Sequence, residues 1–351
     1  MAIASTISVL PSLCPNLERI VFDDPDRNPV IIDAVSEMLL ACNRDTLRDF
    51  LVYSPTTGEE QEVLHRFPKL SQLLVVIEGH TPLLTMVLPN LTSLAVEYDD
   101  HLDWLQGFTG ATLDRLEAVT FRSESIQVGD FLGAFGSVAL TTSITNTLLR
   151  FRFLTSSSWN PDFSPLLPFK QLKKLEIEFY CNDCCPSRVD DDAIITLAQA
   201  MPRLEILRLG STPCDTPAGA TVHGLVALAS HCLHLSKLRI LFQGNSLVGA
   251  TAGVATTPPP IGEPVTPREH CALTDLEVGS IPIPAQSATK VMLMLLQIFP
   301  CLLNVEHTNP EWTPVAETIR DLRRTGFFVL EQVGPTQAPS IILIERLIRP
   351  S

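Results

Sequence analysis

Charge is scarce in this sequence, and basic charge scarcest of all. Of 351 residues only 18% are Asp, Glu, Lys or Arg, and the formal net charge is −14. No surplus of Lys and Arg is left to lie along a phosphate backbone, which argues against general nucleic-acid binding. A membrane-spanning run is missing too: the most apolar window, VMLMLLQIFPCLL at 291 to 303, is broken by Pro300 and falls short of the roughly 20 residues a bilayer needs. It reads as core. The N-terminal MAIASTISVLPSLC has no basic leader and no clear small-residue cleavage site, so neither secretion nor a membrane partner is expected. The nine cysteines are odd in number and scattered, which fits reduced thiols better than a disulfide framework and points to the cytoplasm or nucleus. There is no G-x-x-x-x-G-K-[ST] loop, no G-x-S-x-G elbow and no H-E-x-x-H helix, so neither an enzyme nor a cofactor site is expected. Gly133 and Gly136 in FLGAFGS read as part of a helix. Finally, no polar or low-complexity linker divides the chain, and a single architecture over residues 1 to 351 is the expectation.

What the sequence has instead is leucine at an unusual spacing. In MPRLEILRLG, Leu204, Leu207 and Leu209 are separated by three and then two, which fits neither a 3.6-residue helix nor a plain alternating strand. The pattern recurs. PNLERIVF places Leu17, Ile20 and Phe22 in the same frame, PKLSQLLV places Leu70, Leu73 and Val75, and PNLTSLAV places Leu91, Leu94 and Val96. TLRDFLV, RLEAVTF, LLRFRF, QLKKLEI, HLSKLRI and ALTDLEV continue the series from Leu47, Leu116, Leu148, Leu172, Leu235 and Leu273; CLLNVEH, from Leu302, ends it on His307, the one poor match. These eleven first leucines lie 21 to 38 residues apart, and Pro15, Pro68, Pro89, Pro202 and Pro300 each stand two residues before one of them. Proline there ends a preceding helix and leads into extended chain. Segments with helical periodicity lie between, such as Val35, Leu39 and Cys42, or Val222, Leu225 and Ala229. A strand–turn–helix–turn unit cannot bury its own apolar face, but stacked units share a core. The expected fold is therefore α/β: a curved repeat solenoid, or horseshoe, with a concave parallel sheet and convex helices, about eleven repeats over 12 to 308, and a C-terminal cap over 309 to 351. Within the cap, PVAETIRDLRR reads as a helix and FFVLEQV and SIILIERLI as strands.

Over residues 12 to 308 these motifs resemble those of leucine-rich repeat proteins. CPNLERIVF and DDDAIITLAQAMPRLEILRL resemble the cysteine-containing type found in F-box/leucine-rich-repeat proteins, particularly the divergent fungal ones. The resemblance implies a protein–protein interaction module: the substrate-recognition arm of an F-box-type ubiquitin ligase receptor, with a Skp-type adaptor as partner where an F-box lies upstream. The other reading is a binding scaffold unrelated to ubiquitin. Two features depart from the family. No F-box-like leucine-proline helical segment precedes the first repeat, and the asparagine or cysteine expected three positions after the last strand leucine is replaced, by Thr212 in one unit and Gln243 in another. Residues 1 to 13 read as the helix half of a repeat whose strand is missing. A fragment with an F-box and earlier repeats upstream, and a short form whose first helix caps itself, are equally consistent with that.

Positions two, four and six after each first leucine alternate with the core residues and should line the concave face. In the five units from Leu116 to Leu235 these positions hold Arg122, Arg150, Arg152, Lys174, Arg208, Lys237 and Arg239 against only Glu176 and Glu178. In the other six units they hold Arg19 and six acids: Asp23, Asp49, Glu97, Asp275, Glu277 and Glu306. The seven bases are the candidate partner-binding residues, suited to an acidic or phosphorylated protein segment because Arg offers bidentate contacts. A solvated strand face is the bland alternative. Cys181, Cys184, Cys185 and Cys214 could meet on one rim, but adjacent cysteines rarely share a metal and no metal is expected. Cys14, Cys232, Cys271 and Cys301 read as packing residues of the turns before strands, and HCLH at 231 to 234 as a helix end with Cys232 inward and His231 exposed. Residues 245 to 268, rich in Gly, Thr and Pro, read as a flexible surface insertion.

Overall fold

A computed structural model describes residues 2–22, 28–55, 63–64, 66–77, 88–98, 118–123, 133–134, 148–154, 162–180, 189–210, 219–244, 246, 271–279, 281–283, 287–325, 327–330 and 342–345. The fold is α/β and divides into two compact units, Met1–Pro186 and Ser187–Ser351. The first holds helices α1 (Ala2–Leu13) and α2 (Pro29–Ala41) and strands β1 (Arg19–Phe22), β2 (Asp49–Pro55), β3 (Gln72–Ile77), β4 (Ser93–Tyr98), β5 (Ala118–Ser123), β6 (Leu148–Leu154) and β7 (Lys174–Tyr180). Each strand lies parallel to the next in sequence order. The second unit holds α3 (Asp191–Ala200), β8 (Ile206–Leu209), α4 (Val222–His231), β9 (Lys237–Ile240), β10 (Asp275–Gly279), α5 (Ala288–Ile298), β11 (Asn304–His307) and α6 (Thr313–Thr325), with β8 to β11 again parallel and in order. β12 (Phe327–Leu330) and β13 (Ile342–Glu345) form an antiparallel pair.

The three-then-two spacing has a local cause. The first leucine closes a turn, its N–H donating to the carbonyl three residues earlier: Leu70 to Phe67, Leu91 to Leu88, Leu204 to Met201, Leu235 to Cys232 and Leu302 to Phe299, at 3.0–3.2 Å. Pro68, Pro89, Pro202 and Pro300 occupy the second position of that turn, where a φ fixed near −65° is favourable. The chain then extends and every second residue turns inward. Leu204 and Leu207 are fully buried and Leu209 nearly so, while Arg208 between the last two is half-buried.

Successive strands lock together through one recurring connection. Ser71 and Gln72 donate their N–H groups to the Arg48 carbonyl, Thr92 and Ser93 to Ser71, Ser236 and Lys237 to Glu205, and Thr274 and Asp275 to Ser236. The hydroxyls of Ser71, Thr92, Ser236 and Thr274 donate to the same carbonyls at 3.0–3.2 Å. One carbonyl thus accepts three bonds, which gives both backbone N–H groups at the start of each of these strands a partner.

The pairing register corrects one frame. Val119 of β5 and Leu175 of β7 lie beside Leu149, not Phe151. Leu149 and Phe151 therefore stand level with Val119 and Phe121 of β5, where a frame begun at Leu148 places Phe151 and Phe153. Both frames share the same alternation, so the shift of two residues changes level along the strand and not face. At β11 an irregularity places His307 beside Gly279, which is why it breaks the apolar column.

Helices α1, α2, α4 and α6 and the two terminal strands fall where the sequence pattern puts them. A helix in every unit does not follow: among the described residues between β2 and β7, helical structure is limited to 63–64, 133–134 and a 3-10 turn at Ser164–Leu166. In the first unit α1 packs on α2, yet Val9, Leu13, Val21 and Leu40 are exposed. In the second, α6 packs on β11 and α5. Its Arg323 donates to the carbonyls of Leu302 and Pro300, closing the turn before β11. Among the described residues no helix is long and apolar enough to cross a membrane.

Candidate functional site

The strands place the candidate residues in lateral rows that no single motif reveals. In the first unit one row runs Glu97, Arg122, Arg152, Glu178 across β4 to β7, and the next level runs Ala95, Thr120, Arg150, Glu176. Arg122 and Arg152 are neighbours, but each has a glutamate on its other side, and Arg150 lies beside Glu176. Lys174, exposed, lies beside Leu148. Glu176, expected to face solvent, is 4% exposed. The same compensation appears at the start of the sheet, where Arg19 and Asp49 are partners in register and 3.9 Å apart.

The second unit repeats the theme with a different order. Arg208, Arg239, Glu277 and Glu306 stand at one level across β8 to β11, and Ile206, Lys237, Asp275 and Asn304 at the level before it. Arg239 is ion-paired with Glu277 at 3.4 Å. Lys237 and Glu306 are exposed, and Arg208 and Asp275 half-buried. The Asn304 amide donates to Glu306 at 3.4 Å, and the Asp275 carboxylate lies 2.8 Å from the Thr274 hydroxyl, sharing its proton with the Ser236 carbonyl. Cross-strand opposite-charge pairs of this kind stabilise a sheet by a few tenths of a kcal/mol up to about 1 kcal/mol. The seven bases identified from the sequence therefore lie in two sets, Arg122, Arg150, Arg152 and Lys174 in the first unit and Arg208, Lys237 and Arg239 in the second. In each set acids stand beside most of them.

Beyond the sheet face the chemistry is structural. Cys232 and Cys271 are buried in the turns before β9 and β10, and their thiols reach carbonyls of the preceding repeat at 3.4–3.7 Å. Burial, with Cys271 nearby, pushes the Cys232 thiol up to about 12; burial, partly offset by a backbone hydrogen bond, pushes Cys271 to about 11. Such thiols are poor nucleophiles and poor metal ligands at neutral pH. Cys14 and Cys301 are exposed and so are not packing residues: Cys301 occupies the third position of its turn, pointing off the repeat, and Cys14 precedes the first strand of its sheet. Cys232 is inward and His231 exposed, as the helix end required. Cys181, Cys184, Cys185 and Cys214 lie outside the described residues, as does the insertion apart from Ser246. Among the described residues no three His, Cys, Asp or Glu side chains converge as metal ligands.

Sequence reasoning missed a set of anchors that hold the sheet in place. Asp190 caps its own helix, accepting from Ala193 N–H at 2.9 Å. Asp191 reaches the following helix instead: it accepts from the Thr221 N–H at 2.7 Å, the Thr221 hydroxyl at 2.5 Å and the Gly224 N–H at 3.0 Å. At the other end of the strands Trp312 is fully buried, donating its indole N–H to the Ile281 carbonyl at 2.7 Å and meeting Phe242 edge-on. The DDDA run and the NPEW turn carry the usual capping signals, but not their targets one repeat away.

No family model matches the chain, and no curated protein matches it.

Proposed function

We propose that the chain is a protein-binding module, each unit a stretch of leucine-rich-repeat solenoid that holds its partner on the open face of its sheet. It serves as the substrate-recognition arm of an F-box-type ubiquitin ligase receptor and has no catalytic role. One observation carries the binding part: the inward positions of the strands are apolar and closed, while the outward positions hold charges kept at fixed spacing by the register. A rigid, regularly spaced charged face is suited to orientation-specific contact with another protein. The contact residues are Arg122, Arg150, Arg152 and Lys174 in the first unit and Arg208, Lys237 and Arg239 in the second, and they recognise an acidic or phosphorylated segment. The link to ubiquitin rests on the resemblance of the repeats alone.

Replacing Arg150, Arg152 and Arg208 together by Ser should weaken binding of partners isolated with the parent chain by far more than tenfold, since well-formed charge-assisted contacts contribute roughly 1.5 to 3 kcal/mol each. Asp49→Lys, outside those positions, should change binding much less. Equal binding by parent and triple variant would remove these residues from the interface. Co-purification of a Skp-type adaptor with the protein expressed from its native gene tests the ubiquitin link; its failure leaves a binding scaffold unrelated to ubiquitin.

A further inference from the structure

We infer that the sheet face of the first unit binds an amphipathic helix of a protein partner, apolar along one side and basic on its flanks. The inference rests on the protein-binding reading and adds a second kind of contact to it. One lateral row of this face is uncharged: Val21, Leu51, Leu74, Ala95 and Thr120 are neighbours in register across β1 to β5. Each stands four residues after the first leucine of its repeat, and the row becomes charged only at β6, with Arg150. Val21 is 56% exposed and the other four are half-buried, whereas the alternating inward residues Val52, Val75, Val96 and Phe121 are buried in the core. In the second unit the same position holds Arg208, Arg239, Glu277 and Glu306, so the repeat itself does not demand an apolar residue there. A single exposed valine is ordinary surface, but a contiguous apolar row marks a contact.

Strand spacing selects the helix. Adjacent strands lie about 4.8 Å apart, so the four apolar residues from β1 to β4 span about 14 Å. On a helix, residues i, i+4, i+7 and i+11 share one side and spread over about 16 Å, so each turn of helix meets one strand. Four same-side residues of an extended segment spread over about 20 Å and fall out of step. Charge selects the flanks. At the level before the row, Arg19 and Asp49 are partners 3.9 Å apart and favour neither sign. The surrounding chain does: residues 1 to 120 hold 18 acids against 7 bases, while the remainder holds 21 against 18. A partner drawn to the stripe through that field is basic beside its apolar side.

Three labelled peptides of equal length test this with the full chain, by fluorescence anisotropy at low salt. One places four Leu at i, i+4, i+7 and i+11 on an Ala/Lys background; the second moves the same Leu to alternate positions, the extended pattern; the third keeps the first pattern with Glu in place of Lys. The first should bind about tenfold tighter than either of the others. Leu74→Ser, which interrupts the stripe, should weaken its binding about tenfold, the loss of one partly buried leucine contact. Ala95→Leu, which widens the stripe without removing any contact, should tighten it, and so tests the same surface should Leu74→Ser fail to fold. An unchanged melting curve for each variant confirms its fold. If the alternating peptide binds tightest, the helical partner is overturned; if the Glu peptide binds as tightly as the Lys peptide, the basic flank is. If none binds, or if folded Leu74→Ser and Ala95→Leu bind like the parent, the inference is overturned, and the partner experiment with the triple variant decides the broader reading separately.

Discussion

Trp312→Ala should destabilise the second unit by about 4 kcal/mol, the range expected for truncating a buried Trp. Its ring is fully buried, packs edge-on against Phe242 with centroids 6.1 Å apart, and donates to the Ile281 carbonyl at 2.7 Å. Truncation opens a cavity where three strand exits meet and leaves that carbonyl with only the longer bond from the Asn309 amide, at 3.3 Å. Trp312→Phe retains most of the volume and loses only the hydrogen bond, so a smaller loss of about 1 to 3 kcal/mol is expected. Urea unfolding followed by far-ultraviolet circular dichroism measures both. A loss below about 1 kcal/mol for the alanine variant would mean that the indole does not tie these exits together.

For Gly244→Ala the effect should be nearly as large and its cause opposite. A Cβ at this position would overlap the Pro282 carbonyl oxygen and come within 2.8 Å of a methyl of Ile283. The carbonyl belongs to backbone and cannot swing aside, so the exits of β9 and β10 must separate. Overpacking of this kind costs about 3 kcal/mol at the upper end of its usual range, equivalent to a fall of roughly 6 to 12 °C in melting temperature for a unit of this size. Gly133→Ala is the internal control, since a Cβ there meets nothing within 4 Å, and its melting curve should match the parent's. Coincident curves for Gly244→Ala and the parent would show that the two exits do not approach as closely as described.

The strands were legible in the sequence because their signal is short-range. A turn with Pro at its second position and three inward residues fit within nine consecutive residues, and MPRLEILRL carries all of it. The shift at β6 was not legible: TNTLLRFRF accommodates two frames with the same alternation, and only Val119 and Leu175, each more than 20 residues away, choose between them. The frame they choose has Asn146 where the motif has its first leucine, so a search for leucine settles on Leu148 instead. The charge rows were hidden for the same reason. Counting charges repeat by repeat found Arg152, Glu178, Arg239 and Glu277 but not that they stand side by side, since lateral neighbours are set by stacking, not by sequence. Gly244 looks like any loop glycine until Pro282, in another repeat, is brought against it.

The hydrogen bonds of Asp191 make the second unit directional. Both helices carry their own caps, Asp190 for α3 and Thr221 for α4, but α4 draws in addition on the carboxylate of Asp191 for the N–H groups of Thr221 and Gly224 and for the Thr221 hydroxyl. Removing α4 would leave the cap of α3 whole; removing α3 would strip α4 of three bonds at its N-terminus, where orphaned donors and the helix dipole most need an anion. A chain made from its N-terminus meets that asymmetry in the favourable order: when the ribosome delivers Thr221, the group that receives it has already been synthesised.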